Sequence, residues 1–77
     1  MIMTTAFVMI SCELGQEKRV VDELKSLIPV KEVQETIGAY DIVAKMESNS
    51  EAKIKETINS KIQNIDSVRS TLTLLAS

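Results

Sequence analysis

Apolar and polar positions recur with different periods along the chain, and each change of period marks a new predicted element. Residues 6–12 are nearly all apolar and are bounded by threonines before them and by Glu13 after them. A short continuous apolar run of this kind is typical of a strand that is buried on both faces of a sheet. Successive side chains would face opposite sides, with Ala6, Val8, Ile10 and Cys12 on one side and Phe7 and Met9 on the other.

A helical period follows this first strand. Apolar residues recur on one helical face at Val20, Val21, Leu24, Leu27 and Ile28. Residues of opposite charge lie four positions apart on the other face, as Lys18 and Asp22 do. The pattern predicts a helix over residues 16–28, and Pro29 would end it.

The middle of the chain predicts a hairpin. Residues 30–37 combine β-branched side chains with charged neighbours, which indicates an exposed strand. Gly38 then suits a tight turn, because glycine adopts a positive φ without a Cβ clash. Residues 42–47 would be the antiparallel partner strand.

A second helix and a last strand complete the pattern. Ser48 precedes Glu51 by three residues, and this spacing predicts a capping box at the start of a helix that would end near Asn64. Its apolar stripe would consist of Ala52, Ile54, Ile58 and Ile62. The region Val68–Ala76 alternates as a strand does, with Val68, Ser70, Leu72 and Leu74 on one side and Arg69, Thr71, Thr73 and Leu75 on the other.

The order strand, helix, strand, strand, helix, strand predicts an α+β fold, a ferredoxin-like βαββαβ sandwich. Right-handed crossovers would place both helices on one face of a four-stranded antiparallel sheet, with the first and third strands at its centre. The other face of the sheet would be bare, although the first strand is apolar on both sides. Two chains packed through their bare faces, in a dimeric α/β-barrel-like assembly, would cover it.

Size and composition support association. The chain has 77 residues, which predicts one domain over residues 1–77. A core of this size contributes only about 3–5 kcal/mol of net stability, so oligomerisation is an expected source of support. One cysteine and no histidine argue against an internal disulfide or a conventional metal cluster, and no cofactor is expected. Cys12 would be a small buried hydrophobic residue rather than a nucleophile.

The charge distribution argues against two classes of partner. The formal net charge is −2, with nine basic residues dispersed among eleven acidic ones, so no direct contact with nucleic acid is expected. The sequence has no signal-peptide pattern and no apolar run approaching about 18 residues. We therefore expect no membrane partner and a cytoplasmic location.

The turn after the second strand carries the candidate chemistry. Asp41 would leave the Gly38 turn as a fixed carboxylate beside exposed backbone N–H groups. Such a pair can hold a zwitterion, because the carboxylate binds an ammonium and the amides bind the ligand's own carboxylate. The alternative is a plain hairpin turn in which Asp41 accepts local backbone hydrogen bonds and Tyr40 packs at the sheet edge.

Three segments together resemble one known family. They are the opening strand over residues 6–10, the loop Gly38, Ala39, Tyr40, Asp41, Ile42 and Val43, and the closing pattern over residues 67–74. With this order of elements, the chain resembles the C-terminal effector-binding domain, or RAM domain, of the Lrp/AsnC family of transcription regulators. The resemblance spans nearly all of residues 6–75. Since the sequence opens on the first strand of this domain, we expect a stand-alone form without the helix-turn-helix domain that usually precedes it.

The resemblance implies a stand-alone sensing module rather than an enzyme. Such domains form homodimers through their sheets, assemble into larger rings and bind small molecules, typically amino acids, between dimers. The implied function is to regulate transcription indirectly through oligomerisation, and full-length relatives are candidate partners. The implied effector-binding residues are Gly38, Tyr40 and Asp41, with Ala39 and Ile42 as backbone donors, and Thr71, Thr73 and Leu74 on the fourth strand.

Three other functions stay open at this point. Dimeric ferredoxin-like folds also include small enzymes, but this chain has no histidine and no clearly spaced pair of carboxylates for acid–base catalysis. A heavy-metal-carrying domain would need a Cys-x-x-Cys loop, and Cys12 stands alone. A structural oligomerisation module without a ligand is the third alternative.

Overall fold

The computed structural model describes residues 3–76 and contains the six predicted elements together with a short π-helix. The strands are β1 (Thr4–Cys12), β2 (Val30–Glu35), β3 (Ile42–Ser48) and β4 (Val68–Ala76). The helices are α1 (Glu17–Lys25) and α2 (Glu51–Thr57), and α2 continues directly into the π-helix at Ile58–Ile62.

The sheet has the predicted topology. Its strand order is β2-β3-β1-β4, and all neighbouring strands are antiparallel. The first and third strands are therefore central, and both helices cover the same face. This arrangement confirms the ferredoxin-like α+β fold.

An aliphatic core fills the space between the sheet and the helices. Alternate residues of the two central strands are fully buried there: Ala6, Val8, Ile10, Ile42, Ala44 and Met46. The helices contribute five more residues with little or no exposure: Val20, Leu24, Ile54, Ile58 and Ile62. Phe7 lies on the opposite face of β1 and keeps 38% of its surface exposed. The predicted division of β1 into two faces is confirmed.

Helix α1 is shorter than predicted at both ends. It begins at Glu17 and ends at Lys25, and Ile28 lies beyond it with 88% of its surface exposed. The Val30 N–H donates to Leu27 O at 3.0 Å, so the chain already turns toward β2. Apolar residues continue the helical spacing after Lys25, so the predicted helix was too long at its C-terminal end.

Two predicted boundaries around β3 also differ. Strand β2 ends at Glu35, and Ile37 is fully exposed in the following turn. The N-cap of α2 is Ser50 rather than Ser48, because Ser50 Oγ accepts a hydrogen bond from the Lys53 N–H at 3.2 Å. Ser48 remains in β3, where it pairs with Thr4 of β1.

The π-helix accounts for the spacing of three buried isoleucines. Ile54, Ile58 and Ile62 recur every fourth residue, and in an α-helix of 3.6 residues per turn each would be rotated by about 40° from the last. The Gln63 N–H donates instead to Ile58 O at 2.9 Å, five residues back. The wider turn keeps the isoleucines on the core side.

The predicted apolar stripe of the second helix was wrong at one position. Ala52 is exposed, and Thr57 is the additional buried residue of α2. The Thr57 hydroxyl is satisfied by the Lys53 carbonyl at 2.9 Å, so its burial does not leave an unpaired polar group. The helical stretch then ends at Ile62, two residues before the predicted end.

A β-bulge changes the sidedness of β4 near its start. Ser70 pairs with Ser11, but Val68 pairs with the next residue, Cys12, so one extra residue lies between them. Val68 therefore packs against the core, on the side opposite to Ser70. The rest of β4 alternates as predicted.

Ser50→Ala should lower the free energy of unfolding by about 1 kcal/mol, because it removes the hydrogen bond to the first turn of α2. Ser50→Asp is the matched control, since aspartate is an equally good N-cap and should retain most of the stability. Urea unfolding followed by circular dichroism measures both. An unchanged midpoint for Ser50→Ala would contradict this capping role.

Candidate functional site

Residues 36–41 form a closed turn between β2 and β3. The Thr36 N–H donates to Asp41 O at 2.8 Å, and the Thr36 hydroxyl donates to Tyr40 O at 2.8 Å. Gly38 has a φ of 132°, as the turn prediction required. A Cβ at Gly38 would meet nothing within 4 Å, so backbone conformation rather than space demands glycine here.

Asp41 ties this turn to the end of the central strand. Its N–H donates to Ile10 O at 2.9 Å, and its Oδ2 accepts a hydrogen bond from the Cys12 N–H at 2.9 Å. The carboxylate bond joins residues 29 positions apart, so it is not the local turn contact that the alternative interpretation expected. Oδ2 has a structural role, and Oδ1 is the oxygen that could meet a ligand.

Cys12 lies beside this carboxylate and is chemically quiet. Only 5% of its surface is exposed. Burial raises the pKa of the Cys12 thiol, and the negative charge of Asp41 raises it further. The predicted burial of Cys12 is confirmed.

The other predicted loop residues differ in accessibility. Gly38 and Ala39 are exposed, and Tyr40 is half-buried. The Ile42 side chain is fully buried in the core, so only its backbone could meet a ligand. An accessible set of backbone groups and one carboxylate thus lie together at this end of the sheet.

One protomer does not bring its β4 candidates to this loop. Ile42, Ile10 and Thr71 lie in one row across three strands, which places β4 about 10 Å from β3. Thr73 lies further along β4. Leu74 pairs with Phe7 and therefore lies on the bare face of the sheet, away from Thr71 and Thr73.

The bare face of the sheet has an apolar half and a charged half. Its most exposed apolar residues on β1 and β4 are Phe7, Leu72 and Leu74. On β3, the Lys45 ammonium lies 3.8 Å from carboxylate oxygens of both Glu32 and Glu47. The prediction that helices leave one face uncovered in a single chain is confirmed.

A groove on the helix side was missed by the sequence analysis. It has a volume of about 330 Å³ and runs between α2 with its π-helix and the edge strand β4. Its lining residues are Lys55, Ile58, Asn59, Gln63, Thr71, Thr73 and Leu75. The repeat of polar residues every fourth position from Lys55, next to the isoleucine stripe, was the signal that could have indicated this α2–β4 groove.

Residues 3–76 provide neither a metal centre nor a membrane-spanning helix. These residues contain no group of three or more histidine, cysteine, aspartate or glutamate side chains that could hold a metal ion. Within the same range, no helix is long and apolar enough to cross a membrane.

The strand order and the two helices on one face of the sheet define a small ferredoxin-like α+β domain. The family model described as the Lrp/AsnC ligand binding domain matches residues 5–77. The chain therefore belongs to the Lrp/AsnC ligand-binding domain family. No curated protein is similar enough in sequence to add to this assignment.

Solved structures agree with the family. FFRP-DM1 is 28% identical with a TM-score of 0.91, and the alignment covers 96% of this chain and 99% of that one. E. coli AsnC is 30% identical with a TM-score of 0.88, with 95% of this chain and 50% of AsnC covered, so this chain spans about half of AsnC. A transcriptional regulator from Neisseria meningitidis, solved in complex with L-Met, shares the fold at 10% identity and a TM-score of 0.84, covering 96% and 49% of the two chains.

Asp41→Ala should destabilise the fold by about 1–3 kcal/mol, because it leaves the Cys12 N–H without its acceptor. Asp41→Asn should cost less, since the amide oxygen can still accept this hydrogen bond. Thermal and urea unfolding of both variants measure the difference. Equal stability of the alanine and asparagine variants would show that the hydrogen bond contributes nothing.

Proposed function

We propose that this protein is a regulatory module that binds an amino acid at a site between subunits and acts on transcription indirectly, through its state of assembly. One observation carries the proposal: the Asp41 carboxylate is fixed by the Cys12 N–H beside the exposed backbone of Gly38 and Ala39. A fixed anion next to exposed amides is complementary to a zwitterion.

In this proposal the loop binds the two charged ends of the ligand. Asp41 Oδ1 accepts hydrogen bonds from the ligand's ammonium, and the backbone N–H groups of Gly38, Ala39 and Ile42 are the candidate donors to its carboxylate. Tyr40 is half-buried and provides a ring beside the ligand. The complex of the Neisseria meningitidis regulator with L-Met supports an amino acid as the class of ligand for this fold.

A neighbouring subunit would supply the remaining contacts. Thr71 and Thr73 face the helix side of β4 and Leu74 faces the bare side, so one ligand in the loop cannot reach all three within a protomer. If these residues contribute, they come from another copy in the assembly. A ligand held by two copies links its binding free energy to association, which is what an assembly-dependent regulator requires.

The bare sheet face is the proposed homodimer interface. Phe7, Leu72 and Leu74 expose 38%, 44% and 53% of their surfaces there, and burial of apolar surface stabilises by about 25 cal/mol per Å². A domain of this size gains little stability from its own core. The same face in a second copy is the partner that a two-fold arrangement provides.

Asp41→Asn should weaken amino-acid binding by about ten- to a hundredfold, because it removes a charge-assisted hydrogen bond to the ammonium. A thermal-shift screen of the twenty amino acids identifies the ligand, and calorimetry on wild type and variant gives the two affinities. Glu35→Gln is the matched control, since it removes a nearby exposed charge outside the turn. Equal affinities for wild type and Asp41→Asn would exclude Asp41 from the site, and no shift with any amino acid would favour a ligand-free module.

Met9→Lys should reduce the mass in solution and the stability together, because Met9 lies on the bare face of β1 and a charge there opposes burial. Leu14→Lys is the matched control, since Leu14 is 94% exposed in the turn after β1. Light scattering at micromolar concentration measures the mass. A folded wild-type monomer under these conditions would contradict the sheet-to-sheet dimer.

A further inference from the structure

The α2–β4 groove is not explained by the proposed loop site. None of the turn residues 38–41 lines it, and its walls belong to α2, the π-helix and β4. The two sites share only Thr71 and Thr73, which a neighbouring copy would supply to the loop site and which line the groove within their own protomer. The volume of about 330 Å³ is within the range of small-molecule sites.

Helix α2 and the π-helix that continues it line one wall of this groove with polar side chains. Lys55, Asn59 and Gln63 recur every fourth residue, each one position after a buried isoleucine. The three isoleucines face the core, and the three polar residues that follow them line the groove. π-helical turns occur frequently at functional sites, and here the turn borders the cavity directly.

The lining of the groove is complementary to an anion with a short apolar part. It contains one ammonium, two amides and two hydroxyls, and no carboxylate belongs to it. Ile58 and Leu75 supply apolar surface. The Gln63 amide donates to the Thr71 hydroxyl at 3.3 Å, which bridges the helix and the strand across one end.

Lys55 is able to exchange its present partner for a ligand. Its ammonium lies 3.0 Å from Glu51, but the two side chains are 60% and 54% exposed. An exposed i,i+4 ion pair of this kind contributes little to stability, because solvent screens both charges. A ligand carboxylate that also binds Asn59 and a threonine hydroxyl can compete with it.

We propose that the α2–β4 groove is a second ligand site, which binds a small carboxylic acid without an ammonium group, such as a 2-oxo acid. The ligand carboxylate meets Lys55 and Asn59, its carbonyl oxygen accepts from a threonine hydroxyl, and its aliphatic part lies on Ile58 and Leu75. An amino acid is the poorer ligand because its ammonium would be repelled by Lys55, and the nearby Glu51 carboxylate, which pairs with Lys55, does not line the groove. The turn with Asp41 has the opposite preference.

Two probes that differ in one group test the ligand class. 2-Oxobutyrate and L-2-aminobutyrate have the same carbon skeleton, and each is titrated into isotope-labelled protein while backbone amide shifts are followed by NMR. We expect 2-oxobutyrate to shift residues 55–63 and 71–75, with an affinity about tenfold higher than that of L-2-aminobutyrate at this site. No saturable shift in these segments up to millimolar concentration, or equal affinity for both probes, would overturn the proposal.

Two lysine-to-glutamine variants test whether Lys55 binds the ligand. Lys55→Gln should weaken 2-oxobutyrate binding by about tenfold, because it removes the charge-assisted contact. Lys53→Gln is the control, since Lys53 is on the same helix, is 61% exposed and has its own glutamate partner, but does not line the groove. Equal losses of 2-oxobutyrate affinity in the two variants would show that the effect depends only on net charge, and this would refute a specific site.

The groove and the loop can fail independently. Asp41→Asn should leave the 2-oxobutyrate affinity unchanged, and Lys55→Gln should leave amino-acid binding at the turn unchanged. If Asp41→Asn weakened 2-oxobutyrate binding as much as Lys55→Gln does, the acid would bind at the turn and the groove proposal would be wrong. Loss of amino-acid binding alone would count only against the proposed function.

Discussion

Strand β1 is the constraint on which the rest of the structure depends. It pairs with β3 on one edge and β4 on the other, and it is apolar on both faces. Its inner face, with Ala6, Val8 and Ile10, is fully buried by the two helices. Its outer face is not covered by any element of residues 3–76, because both helices lie on the same side of the sheet. A chain with this central strand is therefore suited to associate through the uncovered face.

The Asp41 carboxylate connects the candidate ligand site to this same strand. Its bond to the Cys12 N–H attaches the turn to the end of β1, which is also one of the two central strands of the bare face. In the proposed function, a ligand bound to Asp41 and a partner packed on β1 would thus both lie against the same strand.

The sequence by itself determined the fold. Each element had a period of its own, so the two-sided run of β1, the helical spacing in α1 and the alternation in β4 specified the element order, and the crossover rule specified the topology. The Gly38 turn was also predictable, because only glycine tolerates its φ at no steric cost. Helix ends were less predictable: apolar residues such as Ile28 continue the period after the backbone has left the helix.

Only the tertiary structure decided how the candidate residues are grouped. The acceptor role of Asp41 toward Cys12 joins distant positions, and no local pattern encodes such a pair. Strand pairing placed Thr71 and Thr73 on the helix side and Leu74 on the bare side, while the bulge moved Val68 across the sheet. The π-helix and its groove likewise became visible only in the folded chain, since the isoleucine spacing is equally compatible with an ordinary α-helix. The periodicity of the sequence indicates which face of an element a residue prefers. Strand register and long-range hydrogen bonds decide which residues come into contact, and both form only when the chain folds.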